Sequence, residues 1–381
     1  MLNRRVLILA SLWIYTTFKI LQIWPAHIIA CTVGVYCYFA VMIGWMFLYH
    51  GKPALIHKLW FRLFAWVGSF AMGIWASFIL FSFVFDVGLL IYLLFSRVLH
   101  VFPSYPVAKI ILNADLTILG LSLLITVLGF IETLRGPKVK NVLLTIPTLP
   151  AALNNLKIAQ LSDLHIGPTI RKSYIEKVVK RTNATHPDII VVTGDLADAK
   201  AKAIANELAP LGNLMSRLGI FYVTGNHEYY WDAAGLIAAV TQLGFVPLIN
   251  DNRVLDFNGA KILVSGVTDS IGGNFLKGHH PDLTKAAATD EHTDLKILLS
   301  HRPDSYIEAE QLGFNLQFAG HTHAGQFFPF NVLLPLAYKY YRRLNHYGNL
   351  WLHVNPGTGY WGPANRFGVP SEITLLTLKT S

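Results

Sequence analysis

Five short polar clusters stand out in the second half of the chain. They are Asp163-Leu164-His165, Gly194-Asp195-Leu196-Ala197-Asp198, Gly225-Asn226-His227-Glu228, Ser300-His301 and Gly320-His321-Thr322-His323. Together they offer carboxylate, imidazole and amide groups and no thiolate. Imidazole suits Zn, Fe, Mn or Ni and carboxylate favours harder ions, so the mixture suits catalytic divalent metals. One ion cannot use so many donors, whereas two ions about 3.5–4 Å apart, bridged by one carboxylate, would use them all. Each cluster alone has an ordinary structural account: Asp-x-His as a loop pair, Gly-Asn-His-Glu as a turn and helix cap. Five in succession do not. His279 and His280 before Pro281, and His186 before Pro187, read as solvated loop positions.

Each cluster follows an apolar run that reads as a strand: residues 157–161, 188–192, 220–223, 296–299 and 316–319. Between them, 171–182, 200–217 and 232–243 read as helices. The alternation predicts a mainly parallel sheet with helices packed on it. All five clusters then fall at the carboxyl edge, where open α/β sheets bind ligands. Asn258-Gly259, between 253–257 and 260–267, signals a hairpin. Further strands are expected at 350–354 and 372–378.

In this order the clusters resemble the five blocks of calcineurin-like metallophosphoesterases, over roughly residues 155–380. The run Gly320-His321-Thr322-His323-Ala324-Gly325-Gln326 is similar to the membrane-anchored, multi-pass bacterial branch, which usually has Gly where Ala324 stands. The resemblance implies an α/β fold in which a β-sandwich is flanked by helices (αββα). It implies one metal on Asp163, His165, Asp195 and His323 and a second on Asp195, Asn226, His301 and His321, with Asp195 bridging. The ions would be Mn, Fe or Zn, and a metal-bridged hydroxide would attack phosphorus in line. His227 would sit beside the leaving-group oxygen, oriented by Asp198. Arg366, in Gly362-Pro363-Ala364-Asn365-Arg366-Phe367-Gly368, would hold a phosphate by a bidentate contact.

Composition adds where such a domain works. Of 381 residues 53% are hydrophobic and 14% charged, with a mean hydropathy of +0.43. An ordinary soluble domain carries about 25% charged residues, and disordered, disulfide-rich and fibrous classes are excluded as well. The net charge of +9 invites a nucleic-acid reading, but nine Lys and Arg against three Asp and Glu lie in the apolar first 135 residues. The charge is therefore a topology signal, and no nucleic-acid partner is expected. Residues 6–23, 26–49, 61–100 and 110–131 read as four membrane helices, 61–100 as one long helix. A linker at 136–154 would lead to a catalytic domain at 155–381. Four spans put Arg4, Arg5, Lys52, Lys58, Arg62, Arg135, Lys138 and Lys140 inside, making this a multi-pass cell (inner) membrane protein with a cytoplasmic catalytic domain. Lys19 interrupts the first apolar run, and no small-residue cleavage site follows, which argues against a cleaved signal peptide. Asp86 and Asp115 fall in or near spans, as a hydrogen-bonded pair or at the interface. Cys31 and Cys37, six residues apart on one helix, are not placed to form a disulfide.

After the last cluster, Phe327-Phe328-Pro329-Phe330, 332–336 and 338–343 read either as core or as an interfacial segment with Lys339, Arg342 and Arg343 behind it. Tethering at a bilayer favours a substrate in the same bilayer, such as a lipid-linked phosphoester or pyrophosphate. A looser similarity reaches hydrolases of UDP-2,3-diacylglucosamine. The competing expectation is a transporter or signalling protein whose metal domain is regulatory or inactive. The sequence carries no signal of oligomeric state.

Overall fold

The computed structural model describes residues 4–99 and 106–380. The chain divides into a helical unit, Met1–Ile131 with Gly362–Phe367, and a second unit, Glu132–Trp361 with Gly368–Ser381.

The helical unit contains α1 (Arg4–Ile23), α2 (Ile28–Gly51), α3 (Leu59–Val98) and α4 (Val107–Arg135, its last residues in the second unit). Three stretches, Pro25–Gly51, Leu59–Val98 and Val107–Arg135, are long and apolar enough to cross a membrane. The fourth expected span, α1, has 20 residues and carries Arg4, Arg5 and Lys19. Helix α3 runs unbroken for 40 residues, about 60 Å at 1.5 Å per residue, against roughly 30 Å of hydrocarbon in a bilayer. Its buried face is mostly small, with Ala65, Gly68, Ser69, Ala71, Gly73, Ser77 and Ser82 beside the two larger residues Phe61 and Phe78. Phe83, Val84, Leu90, Ile91, Leu94 and Phe95 are exposed, the inside-out pattern of helices that meet lipid.

The charges inside this unit find one another. Lys19 Nζ lies 2.9 Å from Asp86 Oδ1 and 2.6 Å from Asp115 Oδ1, so it joins α1, α3 and α4. Tyr15 donates to Asp86 Oδ2 at 2.6 Å. The two aspartates are thus brought together through a lysine. The segment Gly362–Phe367 also packs here: Ser69 Oγ donates to the Gly362 carbonyl and accepts from the Ala364 amide, each at 2.8 Å.

The second unit is a sandwich of two six-stranded sheets. The first has the order β1 (Lys138–Thr145), β12 (Glu372–Lys379), β2 (Lys157–Leu161), β3 (Ile189–Thr193), β4 (Gly219–Val223), β5 (Val246–Pro247). The second has the order β10 (Arg343–Tyr347), β11 (Leu350–Val354), β9 (Leu316–Ala319), β8 (Leu295–Leu299), β7 (Ala260–Gly266), β6 (Asp251–Phe257). Strands β2, β3, β4 and β5 run parallel, as do β7, β8, β9 and β11. Between the sheets, Ile158, Ile189, Val191, Phe221 and Val223 meet Ile262, Val264, Ile297, Leu299 and Phe318. Each fully buried side chain of this kind contributes about 1.5–3 kcal/mol. The alternate residues Ile190 and Val192 are buried too, which is why β3 reads as an unbroken apolar run.

Two local expectations change and a third holds. Residues 136–154 hold β1, paired in parallel register with β12 from Lys138↔Glu372 to Thr145↔Lys379, and so are more than a linker. The helix expected over 200–217 is a chain of short turns, Ala201–Ile204, Ala205–Leu208 and Ala209–Asn213. Pro210 and Gly212 interrupt it, since proline lacks the helical N–H and glycine is costly to order. The hairpin is present, with Phe257 opposite Ala260 and both Asn258 and Gly259 at positive φ, as a two-residue turn of the primed kind requires.

Candidate metal centre

Five strands deliver the polar clusters at their carboxyl ends. Asp163 and His165 follow β2, Asp195 and Asp198 follow β3, and Asn226 and His227 follow β4. From the other sheet, His301 follows β8, and His321 and His323 follow β9. The loops leave the strands abruptly. Asp163, His165, Asp195, His321 and His323 all have φ between +48° and +68°, a region that costs a residue with a Cβ about 1–3 kcal/mol. Such strain persists only where the surroundings over-determine it, and here the loops hold one another. Asp163 N donates to Gly194 O and His165 N to Asp195 O, both at 3.0 Å. Glycine is required where they touch: a Cβ on Gly194 (φ +85°) would stand 2.5 Å from Gly225 N and 2.7 Å from His301 Nδ1.

The donors converge in three overlapping groups, Asp163–His165–His323, Asp195–His301–His321 and His165–Asp195–His227, the ligand atoms in each within 4.8 Å of one another. His165 Nε2 faces His323 Nε2 at 3.1 Å, and His301 Nε2 faces His321 Nδ1 at 3.1 Å. Asp195 Oδ2 is 3.2 Å from His301 Nε2 and 3.8 Å from His165 Nε2, central to both pairs. His301 turns Nδ1 to the Thr193 carbonyl at 2.8 Å. A carbonyl only accepts, so Nδ1 carries the proton and Nε2 is directed at the cluster. Asn226 Oδ1 is buried and, among the described residues, has no hydrogen-bond partner. A buried oxygen without a partner costs about 1–3 kcal/mol, and a cation at this place would satisfy it. The residues therefore fit divalent metal ions, with imidazole nitrogen and carboxylate and amide oxygen as donors.

The electrostatics are those of a buried, strongly anionic cluster that draws positive charge to itself. Burial works against imidazolium at His301, yet the Asp195 and Asp163 carboxylates push it up to about 10. Burial, then the charge on His301, push His321 down to about 3, so its ring is neutral and Nδ1 can accept from His301 Nε2 at 3.1 Å. Asp198 stands between two rings, with Oδ1 2.5 Å from His227 Nδ1 and 3.2 Å from His165 Nδ1. Burial would raise its carboxyl, but the His227 and His165 imidazoles hold it well below the usual range. Burial likewise opposes charge on His227, and Asp198 and then Asp195 overcome it, raising His227 to about 9.

Residues 156–325 match the calcineurin-like phosphoesterase family. The chain is 37% identical over 285 residues to the Bos taurus transmembrane protein with metallophosphoesterase domain, covering 72% of this chain and 64% of that one. It is 33% identical over 270 residues to an uncharacterised metallophosphoesterase of Campylobacter jejuni, covering 70% and 69%. The chain belongs to the calcineurin-like metallophosphoesterases. It spans somewhat under two thirds of the length of its cattle relative and of a Danio rerio protein of the same name, 34% identical over 279 residues and covered to 62%.

Of the ten site residues expected from the sequence, the structure brings Asp163, His165, Asp195, His227, His301, His321 and His323 together at one place, with Asp198 on the His165 and His227 rings and Asn226 next to His227 in the loop after β4. Asn226 and Asp198 are at its margin. Arg366 instead lies in Gly362–Phe367, grouped with the helical unit, where it is fully buried and its amide donates to Gly129 O at 3.1 Å.

Four contributors were given no role from sequence. Glu228, fully buried, accepts from the Gly225 and Asp195 amides on Oε2 at 2.6 and 3.0 Å and from the Leu196 amide on Oε1 at 2.6 Å. Burial, then the Asp195 carboxylate, push its carboxyl up to about 7 while the amides oppose the shift. Its position at the third residue of the helix Asn226–Trp231 matches the reach-back member of a capping box, the signal that could have found it. Ser162 donates to Asp163 Oδ2 at 2.6 Å. The rings of Tyr230 and Trp361 stand edge-on to His227 at 5.4 and 5.6 Å, and no sequence pattern announces that contact.

Proposed function

We propose that this chain is a membrane-bound, metal-dependent phosphoesterase using two divalent cations. The supporting observation is the three overlapping donor groups linked through His165 and Asp195, with Asn226 Oδ1, buried and without a hydrogen-bond partner among the described residues, in the loop beside His227. In this reading Asp163, His165, Asp195 and His323 hold one cation and Asp195, Asn226, His301 and His321 the other. The chemistry such cations supply when bound is acidification of water and neutralisation of charge on phosphoryl oxygens. The protein's own part is orientation. Glu228 and Ser162 fix the backbone and the carboxylate that aim the ligands. Asp198 holds the His227 ring by Nδ1, which leaves Nε2 to stabilise or protonate a leaving-group oxygen. Trp361 and Tyr230 wall the same ring and keep its rotamer.

The substrate reading follows from the apolar helices. A phosphoesterase on a membrane anchor shares a surface with lipid-linked phosphoesters and pyrophosphates, a class that includes UDP-2,3-diacylglucosamine, and confinement raises their effective concentration. The Lys and Arg bias of the segments flanking the helices supports a cytoplasmic catalytic unit in the cell (inner) membrane. The experiment is hydrolysis by full-length protein, stripped with chelator and reloaded with Mn, Fe or Zn, against an aryl phosphodiester and a panel of lipid pyrophosphates. Metal-dependent turnover that Asp195→Asn abolishes supports the proposal. Full metal loading with no turnover on any member of the panel refutes it. That outcome would favour the second reading, a transporter or signalling protein, for which the buried Lys19–Asp86–Asp115 group is the specific observation.

A further inference from the structure

One surface of the second unit borders the metal centre, Tyr338 standing edge-on to His321 at 6.3 Å and the Tyr341 carbonyl accepting from Thr322 at 2.7 Å, and supplies none of its donors. Directly after His323 and the turn that follows it, the helix Phe330–Leu333 and the turn Leu334–Leu336 present apolar side chains to the outside. Leu336 is 87% exposed, Val332 60%, Leu333 43% and Phe328 37%. Scattered single apolar residues on a surface need no explanation, but a contiguous run does. The chain then continues through Tyr338, Lys339, Tyr340, Tyr341, Arg342 and Arg343. Lys339 Nζ lies 5.1–5.9 Å from the rings of Tyr306, Tyr340 and Tyr347, and the Arg342 guanidinium is 5.1 Å from the Tyr341 ring.

Beyond the tyrosines a cleft of about 310 Å³ is lined by Lys138, Lys140, Arg342 and Arg343, with Val139 and Glu372. Two acids temper it. Glu132 pairs with Lys138 at 2.5 Å, and Glu372 approaches Lys140 at 3.8 Å. Among the described residues neither Arg342 nor Arg343 has a carboxylate within ion-pair distance, so the cleft keeps an excess of positive charge.

We infer that this surface docks on an anionic phospholipid bilayer: Val332, Leu333 and Leu336 enter the acyl boundary, the tyrosines lie at headgroup level, and Arg342 and Arg343 hold lipid phosphates. The order of the chemistry along the chain, aliphatic, then aromatic with a polar tip, then guanidinium, is the order of chemistry across a bilayer interface. Charge complementarity selects anionic lipid, since each Lys or Arg near such a surface contributes an attraction equivalent to about fivefold in partitioning. The inference rests on the membrane anchoring of the chain and stands apart from the hydrolytic reading.

The test uses the full chain in vesicles of phosphatidylcholine alone or mixed equally with phosphatidylglycerol. In a Cys31→Ser, Cys37→Ser background, an environment-sensitive fluorophore is placed at Leu336→Cys. A probe at Met215→Cys, itself 63% exposed, serves as the aqueous reference. The expected result is a blue-shifted probe at 336, quenched by spin-labelled phospholipid and more strongly with phosphatidylglycerol, while the probe at 215 is quenched by aqueous iodide. Arg342→Glu with Arg343→Glu should lower the docked fraction at least fivefold per position. Iodide quenching at 336 equal to that at 215 in both vesicles overturns the inference. So does shielding that persists in lipid-free detergent or grows with protein density, which would mark a protein partner or a second copy. Metal content and aryl phosphodiester hydrolysis, measured on the same variants, report on the catalytic proposal separately.

Discussion

Glu228 belongs to none of the three donor groups, yet its loss should dismantle the centre. Its carboxylate accepts three backbone N–H groups from two loops, those of Asp195, Leu196 and Gly225, at 2.6–3.0 Å. In Glu228→Gln the amide oxygen can replace Oε2 and keep two of these bonds. The amide NH₂ then faces the Leu196 N–H, donor against donor. A buried donor left without a partner costs about 1–3 kcal/mol, and bonds to a charged acceptor lie at the upper end, so about 2–3 kcal/mol is expected. Glu228→Ala strands all three donors and adds a cavity, on the order of 5 kcal/mol or more. For a unit of this size 1 kcal/mol moves the melting temperature by roughly 2–4 °C, which puts the Gln variant about 5–10 °C below the parent in detergent. Because the freed loops carry Asp195, bound metal should fall in the same order, parent above Gln above Ala. The assay is thermal unfolding with parallel metal analysis on purified full-length protein. An Ala variant no less stable than the Gln variant, or a destabilised Gln variant with its full metal content, would refute the argument.

His227→Ala should lower turnover by about 10²–10⁴ with both metals retained. Loss of a metal would make His227 a ligand, as its place in one of the three donor groups allows. Gly194→Ala forces a Cβ at φ +85° to within 2.5 Å of the Gly225 amide and should cost on the order of 3 kcal/mol or more; soluble, fully metallated protein at parental yield would contradict that. Lys19→Met leaves Asp86 and Asp115 without their cation and should destabilise the helical unit by about 3–5 kcal/mol, read by unfolding in detergent. Adding Asp86→Asn and Asp115→Asn should recover most of the loss, and no recovery would show that Lys19 acts otherwise. If the fully buried Arg366 contacts substrate through its fork, Arg366→Lys should raise KM about tenfold at constant metal content, and an unchanged KM removes it from the substrate contact.

Much of the site was legible because metal-binding donors follow strands directly, and both features are local. Asp-x-His and His-x-His after apolar runs can be read within a few residues, and parallel strands bring their carboxyl ends to one edge whatever their order. Long apolar helices are legible for a similar reason, since each satisfies its own backbone hydrogen bonds and needs only length and hydropathy. What stayed hidden depends on partners far away in the chain. Lys19 looked like an interruption of the first helix, and only packing supplies the carboxylates 67 and 96 residues later that explain it. Residues 138–145 looked like a linker because an exposed edge strand carries little pattern of its own; β12, more than two hundred residues on, makes it a strand.

The sequence by itself determined the donor types, their order along the chain and the apolar helices, because residue chemistry and hydropathy are properties of short segments. Tertiary structure alone decided that Asp195 is the common centre, that Asp198 serves two imidazoles, that Glu228 ties two loops together, and that Arg366 is buried beside Gly129. Those are distances between residues remote in sequence, set by how two sheets pack over one apolar core, and no local pattern encodes them.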